Sequence, residues 1–307
     1  MGAPYSSKNL IDFFKTFTTE EICEKYLMEV RWPEGMPCLQ CGKKNFYPRL
    51  KKRRAYQCKE CRFFNRPTAG TLFHRTHTPL QHWFVALFLV SFDKRGISAL
   101  FLSKAIGVHY ETAWAMLSRI RRAMAKRESL YQLQDYVEVD EMFIGAPSEN
   151  TKRGRGTDKT PVLVAVSYTP LENQEEIPGF AKLRAVDNVT EDIVLKFIKS
   201  HVEVGAIIRT DGLSVYPAIE KHGFKHDREP VKKRKAHHVL PHVHTFISNL
   251  RSFVQGTYHG LSEIHLQQYL DEFSYRFNRR HRRDEMFDRL LRACLETTEM
   301  PFSALTR

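Results

Sequence analysis

The chain lacks long hydrophobic runs and a leader-like start. Its longest apolar stretch, WFVALFLVSF from Trp83 to Phe92, has ten residues, whereas a helix that crosses a membrane needs about 20. The opening residues MGAPYSSKNLIDFF do not place a basic segment before an apolar one, which is the order found in secretory signal peptides. These absences predict a protein without a membrane-spanning segment that is located in the cytoplasm.

Cysteine is also scarce, with 6 among 307 residues, but four of the six are clustered. They form two Cys-x2-Cys pairs, Cys38 with Cys41 and Cys58 with Cys61, and sixteen residues separate the pairs. Each pair can direct two sulfurs at one tetrahedral ion, so the spacing predicts a zinc ribbon whose structural Zn²⁺ has no open coordination position. Disulfide bonds and chance clustering are the alternatives, and a cytoplasmic location argues against disulfides.

Acidic residues are few in the first part of the chain. Residues 1–135 contain 23 Lys and Arg against 11 Asp and Glu, the remainder contains 25 against 24, and the whole chain has a net charge of +13. A cationic region of this kind is typical of proteins that bind a polyanion, most often nucleic acid, because neutralised phosphates release counterions. A basic surface that serves only solubility is the alternative.

Two short amphipathic helices are predicted within residues 97–124. The first would bury Leu100, Phe101 and Ala105, and a turn at Gly107 would lead into the second. Such a pair resembles a helix-turn-helix, the DNA-binding arrangement in which the second helix enters the major groove. Two packed helices joined by glycine, without a DNA-binding role, are the alternative.

Basic side chains are the expected DNA contacts, because phosphate contacts supply most sequence-independent affinity. A helix-turn-helix would turn residues 109–111 toward the groove and place Arg119 and Arg122 near phosphates. The segments ENTKRGRGTDKT and VKKRKAHH are also predicted to contact DNA, with solvated surface runs as the alternative. Their basic residues are Lys152, Arg153, Arg155, Lys232, Lys233, Arg234 and Lys235.

After Tyr136 the pattern changes from helical to strand-like. YVEVDEMFIGA, TPVLVAVSY and GFAKLRAVDNV read as strands, TEDIVLKFIKSHV as a helix and AIIRTDG as a fourth strand. This β-β-β-α-β order predicts an α/β (α+β) fold with a ribonuclease-H-like core. In such a core the first and fourth strands are neighbours, which would bring Asp140 and Asp211 together.

Paired carboxylates at neighbouring strand ends suit phosphodiester chemistry. Hard oxygen ligands bind Mg²⁺, and two divalent ions about 4 Å apart can activate the attacking oxygen and stabilise the leaving one. Glu138 lies on the same strand face as Asp140, since side chains alternate along a strand, and is a rival or helper ligand. The alternative is that each aspartate is only a turn or surface acid.

Several stretches together resemble a known family. They are DFFKTFTTEEICEKYLMEVRWPEGMPCLQCG, AGTLFHRTHTPLQHWFVALFLV, YVEVDEMFIGA, RTDGLSVY and GTYHGLSEIHLQQYLDEFSYRFNRR, and they span most of the chain from Leu10 to Arg283. They are similar to bacterial insertion-sequence transposases of the DDE class, in the ISXO-like branch with an N-terminal zinc ribbon. The resemblance implies a nucleoid-associated enzyme that binds terminal inverted repeats, cleaves the ends and joins them to target DNA as a homodimer or larger oligomer.

The resemblance also implies a third metal ligand on a later helix, usually Glu or Asn, with a basic residue seven positions beyond it. Anchored on GTYHG, the basic residue falls on Arg251 and the ligand on His244, with Asn249 as the alternative. Imidazole binds Mn²⁺ better than Mg²⁺, so either ion is a candidate. An inactive copy that serves as a DNA-binding regulator, or a nuclease without strand transfer, remains an alternative.

Other polar residues of the second half have simpler expected roles. Asp271 and Glu272 are interpreted as partners of Arg276 and Arg279 at helical spacing. His237, His238 and His242 are a candidate second metal site, although phosphate or solvent contact is the preferred interpretation. The expected parts are a helix and zinc ribbon in 1–70, a helix-turn-helix-like domain in 71–132, a catalytic domain in 133–290 and a tail in 291–307.

Overall fold

The structure is a computed structural model that describes residues 9–50, 53–145, 159–173, 175–211, 217–228, 239–258 and 261–298. The DNA contacts predicted at Lys152, Arg153, Arg155, Lys232, Lys233, Arg234 and Lys235 lie outside these ranges, as do His237 and His238. The chain forms two compact units. The first is Met1–Arg127 with His281–Arg307, and the second is Glu128–Arg280.

Nine α-helices and seven strands occur in the described ranges. In chain order they are α1 (Leu10–Thr16), α2 (Glu20–Arg31), β1 (Tyr56–Gln57), β2 (Phe64–Asn65), α3 (Leu80–Phe92), α4 (Ala99–Ile106), α5 (Tyr110–Glu128), β3 (Tyr136–Ile144), β4 (Thr160–Pro170), β5 (Glu176–Ala185), α6 (Glu191–His201), β6 (Ile207–Thr210), β7 (Lys225–Arg228), α7 (Pro241–Thr257), α8 (Glu263–Phe277) and α9 (Met286–Leu295). No helix among them is both long and apolar enough to cross a membrane.

An aromatic core holds the helices of the first unit together. Phe17 packs against Phe84 of α3 and Phe287 of α9, with ring centroids 5.0 and 5.6 Å away, and Phe13 stacks near Phe88 at 4.4 Å. Edge-to-face and tilted pairs at such distances add to the free energy of burial.

Because α9 packs on α2 and α3, residues 281–290 cluster with the first unit, although the sequence assigned them to the catalytic domain. Residues 1–70 and 71–127 likewise form one unit.

Helices α4 and α5 are joined by a short turn whose glycine is required. Gly107 has a φ of 68° in the left-handed region, which glycine adopts without steric cost. The buried face predicted for α4 is wrong: Leu100 and Phe101 are 55% and 52% exposed, and the buried residues are Leu102 and Ser103. The helix begins at Ala99, capped by the Ser98 hydroxyl that accepts from the Phe101 N–H at 3.1 Å.

The second unit is built on a five-stranded sheet with the order β5-β4-β3-β6-β7. Strands β5, β4 and β3 are antiparallel neighbours, whereas β6 is parallel to β3 and β7 is parallel to β6. The predicted β-β-β-α-β order is confirmed, and β3 and β6, the first and fourth strands of this unit, are neighbours. The topology is ribonuclease-H-like, with β7 as an additional edge strand that the sequence did not predict.

Helices cover both faces of this sheet. On one face, Val137, Val139 and Leu163 pack with Val194 and Phe197 of α6. On the other, Met142, Val162, Val164 and Val166 pack with residues of α7 and α8 such as Phe246, Leu250 and Phe273. Alternating side chains therefore divide the strands between two cores, and Glu138 and Asp140 fall on the face covered by α7.

Candidate active site

Two aspartates lie on neighbouring parallel strands, Asp140 at the middle of β3 rather than at its predicted end, and Asp211 directly after the end of β6. The β3–β6 register pairs Glu138 with Arg209, so Asp140 and Asp211, each two residues further on, continue opposite one another. Adjacent strands are about 4.8 Å apart, so Asp140 and Asp211 lie side by side at the point where β6 ends. Asp140 is 9% exposed and Asp211 is half-buried directly after β6.

The surroundings of Asp140 disfavour its charged form. Burial raises the pKa of Asp140 to about 7, and the negative charges of Glu141 and Asp211 act in the same direction. The Glu141 backbone N–H, which donates to Asp140 Oδ1 at 2.8 Å, and the positive charge of Arg251 act in the opposite direction. A cation bound beside Asp140 would favour ionisation of its carboxylate.

Helix α7 brings His244 to this pair of acids. His244 Nδ1 lies 3.7 Å from Asp140 Oδ2, with 29% of the imidazole exposed. Arg251 lies seven residues after His244, so its side chain leaves the helix axis within about 20° of the direction of His244. Asn249 lies five residues after His244, and its side chain leaves the axis about 140° away from that direction. Asn249 is exposed. The structure thus brings together Asp140, Asp211, His244 and Arg251, and it leaves Asn249 on another side of the helix.

Glu138 connects α7 to the strand that carries Asp140. Its Oε2 accepts from the Val243 N–H at 2.8 Å, and its side chain is fully buried. Helix α7 has Leu240 at its N-cap, without a side-chain cap of its own, so Glu138 satisfies one of the free first-turn N–H groups. Burial raises the pKa of Glu138 to about 7. Its observed contact is with the helix backbone rather than with Asp140.

The four clustered cysteines meet at one point of the first unit. Their sulfurs lie within 4.8 Å of one another, with Cys38 and Cys61 3.5 Å apart and Cys41 and Cys58 3.7 Å apart. A disulfide needs about 2.05 Å, and all four are free, so the disulfide alternative is excluded. A tetrahedral site with Zn–S bonds of about 2.3 Å has sulfur edges of about 3.8 Å, which fits these distances.

A buried asparagine that the sequence did not predict supports the cysteine cluster. Asn65 Nδ2 lies 3.5 Å from Cys38 Sγ, and Asn65 Oδ1 accepts from the Leu39 N–H at 2.7 Å. Hydrogen bonds of this kind orient metal ligands and tune their charge. The only signal in the sequence was the position of Asn65, four residues after Cys61.

Comparison with known proteins decides the family. Residues 132–278 match the family model described as an ISXO2-like transposase domain, and residues 18–63 match a transposase zinc-ribbon domain, together well over half of the chain. The chain belongs to the ISXO2-like transposase family. It is also 28% identical over 286 residues to an uncharacterized protein in transposable element ISH50 of Halobacterium salinarum, covering 85% of this chain and 92% of the relative.

Solved Mos1 transposase assemblies also align with this ISXO2-like transposase. The pre-cleavage Mos1 transpososome covers 70% of this chain and 80% of its own, at 13% identity and a TM-score of 0.28. The Mos1 mariner paired-end complex with Mn covers 92% of both chains at the same identity and score. A TM-score of 0.28 does not establish a common fold; the ribonuclease-H-like fold follows from the strand order of the sheet and from the family match.

The transposase exposes several residues that were predicted to contact DNA. His109, Tyr110, Glu111 and Arg122 are exposed at the start and on the outer side of α5, whereas Arg119 is half-buried. The neighbouring Arg121 is 3% exposed and belongs to the interior. The turn geometry and exposure are compatible with a helix-turn-helix, whose DNA-binding role stays a prediction.

The acids of α8 in this transposase have structural partners. The predicted pair of Glu272 with Arg276 is confirmed, with Arg276 Nη2 2.6 Å from Glu272 Oε1. The predicted ion pair between Arg279 and an acid of α8 is wrong, because Arg279 forms an ion pair with Glu128 instead. Asp271 accepts from Gln267 Nε2 at 2.8 Å. Sequence spacing identified the pair within one helix turn but had no means to find a partner on another element.

Proposed function

We propose that this transposase binds double-stranded DNA at the terminal inverted repeats of an insertion sequence, cleaves the ends and joins them to target DNA. The observation that carries the proposal is the placement of Asp140 and Asp211 opposite one another on neighbouring strands, with His244 Nδ1 3.7 Å from Asp140 Oδ2. Carboxylates on neighbouring strands of this fold suit divalent ions that act on phosphodiesters. The protein would act at the bacterial nucleoid as a dimer or larger oligomer.

The site's own residues would hold Mg²⁺ or Mn²⁺ through the carboxylates of Asp140 and Asp211 and the imidazole of His244. Two oxygen donors with one nitrogen donor fit either ion, and Mn²⁺ accepts the nitrogen more readily. A bound ion supplies Lewis acidity at the phosphate and a more acidic water. Arg251, on the same side of α7 as His244, would bind a substrate phosphate by charge-assisted hydrogen bonds.

The first unit would supply DNA affinity. We infer that Cys38, Cys41, Cys58 and Cys61 hold a structural Zn²⁺, which the sulfur distances favour. Phosphate contacts from Arg119 and Arg122 of α5 would add to those of the basic segments that contain Lys152, Arg153, Arg155, Lys232, Lys233, Arg234 and Lys235. The excess of basic residues in residues 1–135 supports this division of roles.

The test is a cleavage and joining assay on DNA that carries the inverted repeats flanking the gene, with Mg²⁺ or Mn²⁺. We expect nicks at the 3′ ends and joined products. Asp140→Asn and Asp211→Asn should each abolish cleavage and retain DNA binding, whereas Asp192→Asn, at an exposed position on α6, should retain both. Absence of nicking with either ion would leave a DNA-binding regulator, and nicking without joining would leave a nuclease.

A further inference from the structure

A second group of potential metal ligands lies beside the candidate active site and includes none of Asp140, Asp211, His244 and Arg251. Glu138 of β3, Glu176 at the start of β5 and His242 in the first turn of α7 each offer one ligand atom, and these atoms lie within 4.8 Å of one another. His242 Nε2 is 2.8 Å from Glu176 Oε2. Apart from the four cysteines, no other such group occurs in the described part of the chain.

The group contains a buried carboxylate oxygen without a partner. Glu138 is fully buried, its Oε2 is used by the Val243 N–H, and its Oε1 has no hydrogen-bond partner among the described residues. The hydroxyl of Tyr168, whose ring stacks on His242 with centroids 5.0 Å apart, is also buried without a partner there. Buried polar atoms are nearly always satisfied, so Glu138 Oε1 indicates a missing partner.

The charges around the group favour a divalent cation as that partner. When ionised, Glu138, Glu176 and Asp227 carry three negative charges, and Arg209 offsets one by contacting Glu176 Oε1 at 3.4 Å and Asp227 Oδ2 at 3.0 Å. His242 adds no negative charge. The remaining negative charge is unfavourable unless it is compensated, because Glu138 is fully buried and the side chain of Glu176 is 25% exposed. Arg209 occupies Oε1 of Glu176, which leaves Oε2 on the side of His242.

We propose that Glu138, Glu176 and His242 bind one Mn²⁺ or Zn²⁺ ion through Glu138 Oε1, Glu176 Oε2 and His242 Nε2. A mixed set of two carboxylates and an imidazole suits these ions better than Mg²⁺ or Ca²⁺, which prefer oxygen alone. The ion joins β3, β5 and α7 close to Asp140 and His244. It therefore fixes the helix of His244 to the sheet. The proposal does not depend on DNA cleavage by this protein.

The test measures Mn²⁺ binding to the full, zinc-loaded chain carrying Asp140→Asn and Asp211→Asn, which removes the proposed catalytic ligands. Free Mn²⁺ is followed by electron paramagnetic resonance during titration. We expect one bound Mn²⁺ per chain, with at least a tenfold loss of affinity when His242→Gln or Glu176→Gln is added. Glu191→Gln, at an exposed position on α6, is the matched control and should leave binding unchanged.

Thermal unfolding gives a second readout that separates binding at this site from weak surface binding. Mn²⁺ should raise the Tm of the Asp140→Asn/Asp211→Asn chain and lose this effect when Glu176→Gln is added, because only a ligand of the folded state stabilises it. Circular dichroism establishes that each variant is folded. No bound Mn²⁺, or an affinity and a Tm shift that Glu176→Gln leaves intact, would overturn the proposal. Failure to cleave DNA would not affect this result, since the test chain lacks the catalytic aspartates.

Discussion

At the scale of single residues, Asp140 is held where its charge is unfavourable. It is 9% exposed, and burial raises its pKa to about 7 from an ordinary value near 3.8. Between these values the unfolded chain has lost the proton while the folded chain still holds it. Protonated Asp140 therefore contributes stability that is fully present below about pH 4 and is lost as the pH rises through about 7. Such a cost is expected at a residue kept for function rather than for folding.

Replacing Asp140 by Asn should consequently stabilise the metal-free protein at high pH. Asn keeps an oxygen that can accept from the Glu141 N–H, but it does not titrate. We expect the free energy of unfolding of Asp140→Asn, relative to the unmodified protein, to increase from pH 5 to pH 8 by on the order of 2–4 kcal/mol. Urea denaturation without Mg²⁺ or Mn²⁺ measures it. A difference that is constant across this range would contradict the assigned pKa.

His244 and Asn249 should behave differently, because only His244 faces Asp140. We expect His244→Ala to reduce strand cleavage by at least 100-fold, whereas Asn249→Ala should keep it within about threefold, on the scale of lost metal ligation. His244→Glu should retain or increase activity with Mg²⁺, since it restores an oxygen ligand. The measurement is the rate of 3′-end nicking with each ion. Loss of activity in Asn249→Ala alone would mean that the helix register is wrongly assigned.

The sequence predicted the proposed catalytic residues more fully than their surroundings. Asp140 and Asp211 follow strand patterns, so local periodicity was enough to propose them, whereas His244 was implied by the resemblance to insertion-sequence transposases, anchored on GTYHG. Glu176 has no such signal. It reaches His242 only because β5, β4 and β3 are adjacent in the sheet, and strand order across a sheet is a property of the folded chain.

At the scale of elements, two helices begin without a side-chain cap of their own and receive a distant glutamate instead. Glu138 serves α7, and Glu20 serves α3, where its two carboxylate oxygens accept from the Leu80 and Gln81 N–H groups at 2.9 and 3.0 Å. The N-cap of α3 is Pro79, which makes no side-chain cap hydrogen bond. Each glutamate both satisfies free N–H groups and fixes a helix to another element.

Removing the Glu20 cap should therefore destabilise the protein. We expect Glu20→Ala to lower the free energy of unfolding by about 1–2 kcal/mol, the usual effect of losing a helix cap. Glu21→Ala, at the exposed neighbouring position in the first turn of α2, controls for the loss of an acid near that helix N-terminus and should change stability by less than about 0.5 kcal/mol. Chemical denaturation followed by circular dichroism compares them. Equal effects would rule out the cap.

The elements that the sequence missed or misplaced are short or weakly patterned. Strand β7 has only four residues, KHDR, with no apolar alternation, and it forms by adding to the edge of β6. In α4 the choice of buried face failed because eight residues rich in apolar side chains allow more than one apolar stripe. Packing against neighbouring elements, and not the helix itself, selects the side that is buried.

At the scale of the whole molecule, the first unit is discontinuous in sequence. Residues 281–307 cluster with residues 1–127, because α9 contributes Phe287 to the aromatic core around Phe17 and Phe84. Tyr26 of α2 donates to Asp288 Oδ1 at 2.5 Å within the same unit. Local patterns predict a helix in this region but carry no information about which distant helices it contacts.

The concentration of positive charge in residues 1–135 predicts which substitutions change the salt dependence of DNA binding. Each phosphate contact contributes about 0.9 to the slope of log K against log salt. Arg122→Gln, at an exposed position on α5, should therefore reduce the slope by about 0.9 and weaken binding at low salt. Lys196→Gln removes the same charge from α6, where Lys196 Nζ already lies 2.6 Å from Asp192, and should leave the slope unchanged. Filter binding over a range of salt concentrations measures the slope for each variant. Equal slopes for Arg122→Gln and the unmodified protein would show that Arg122 of α5 does not contact a phosphate.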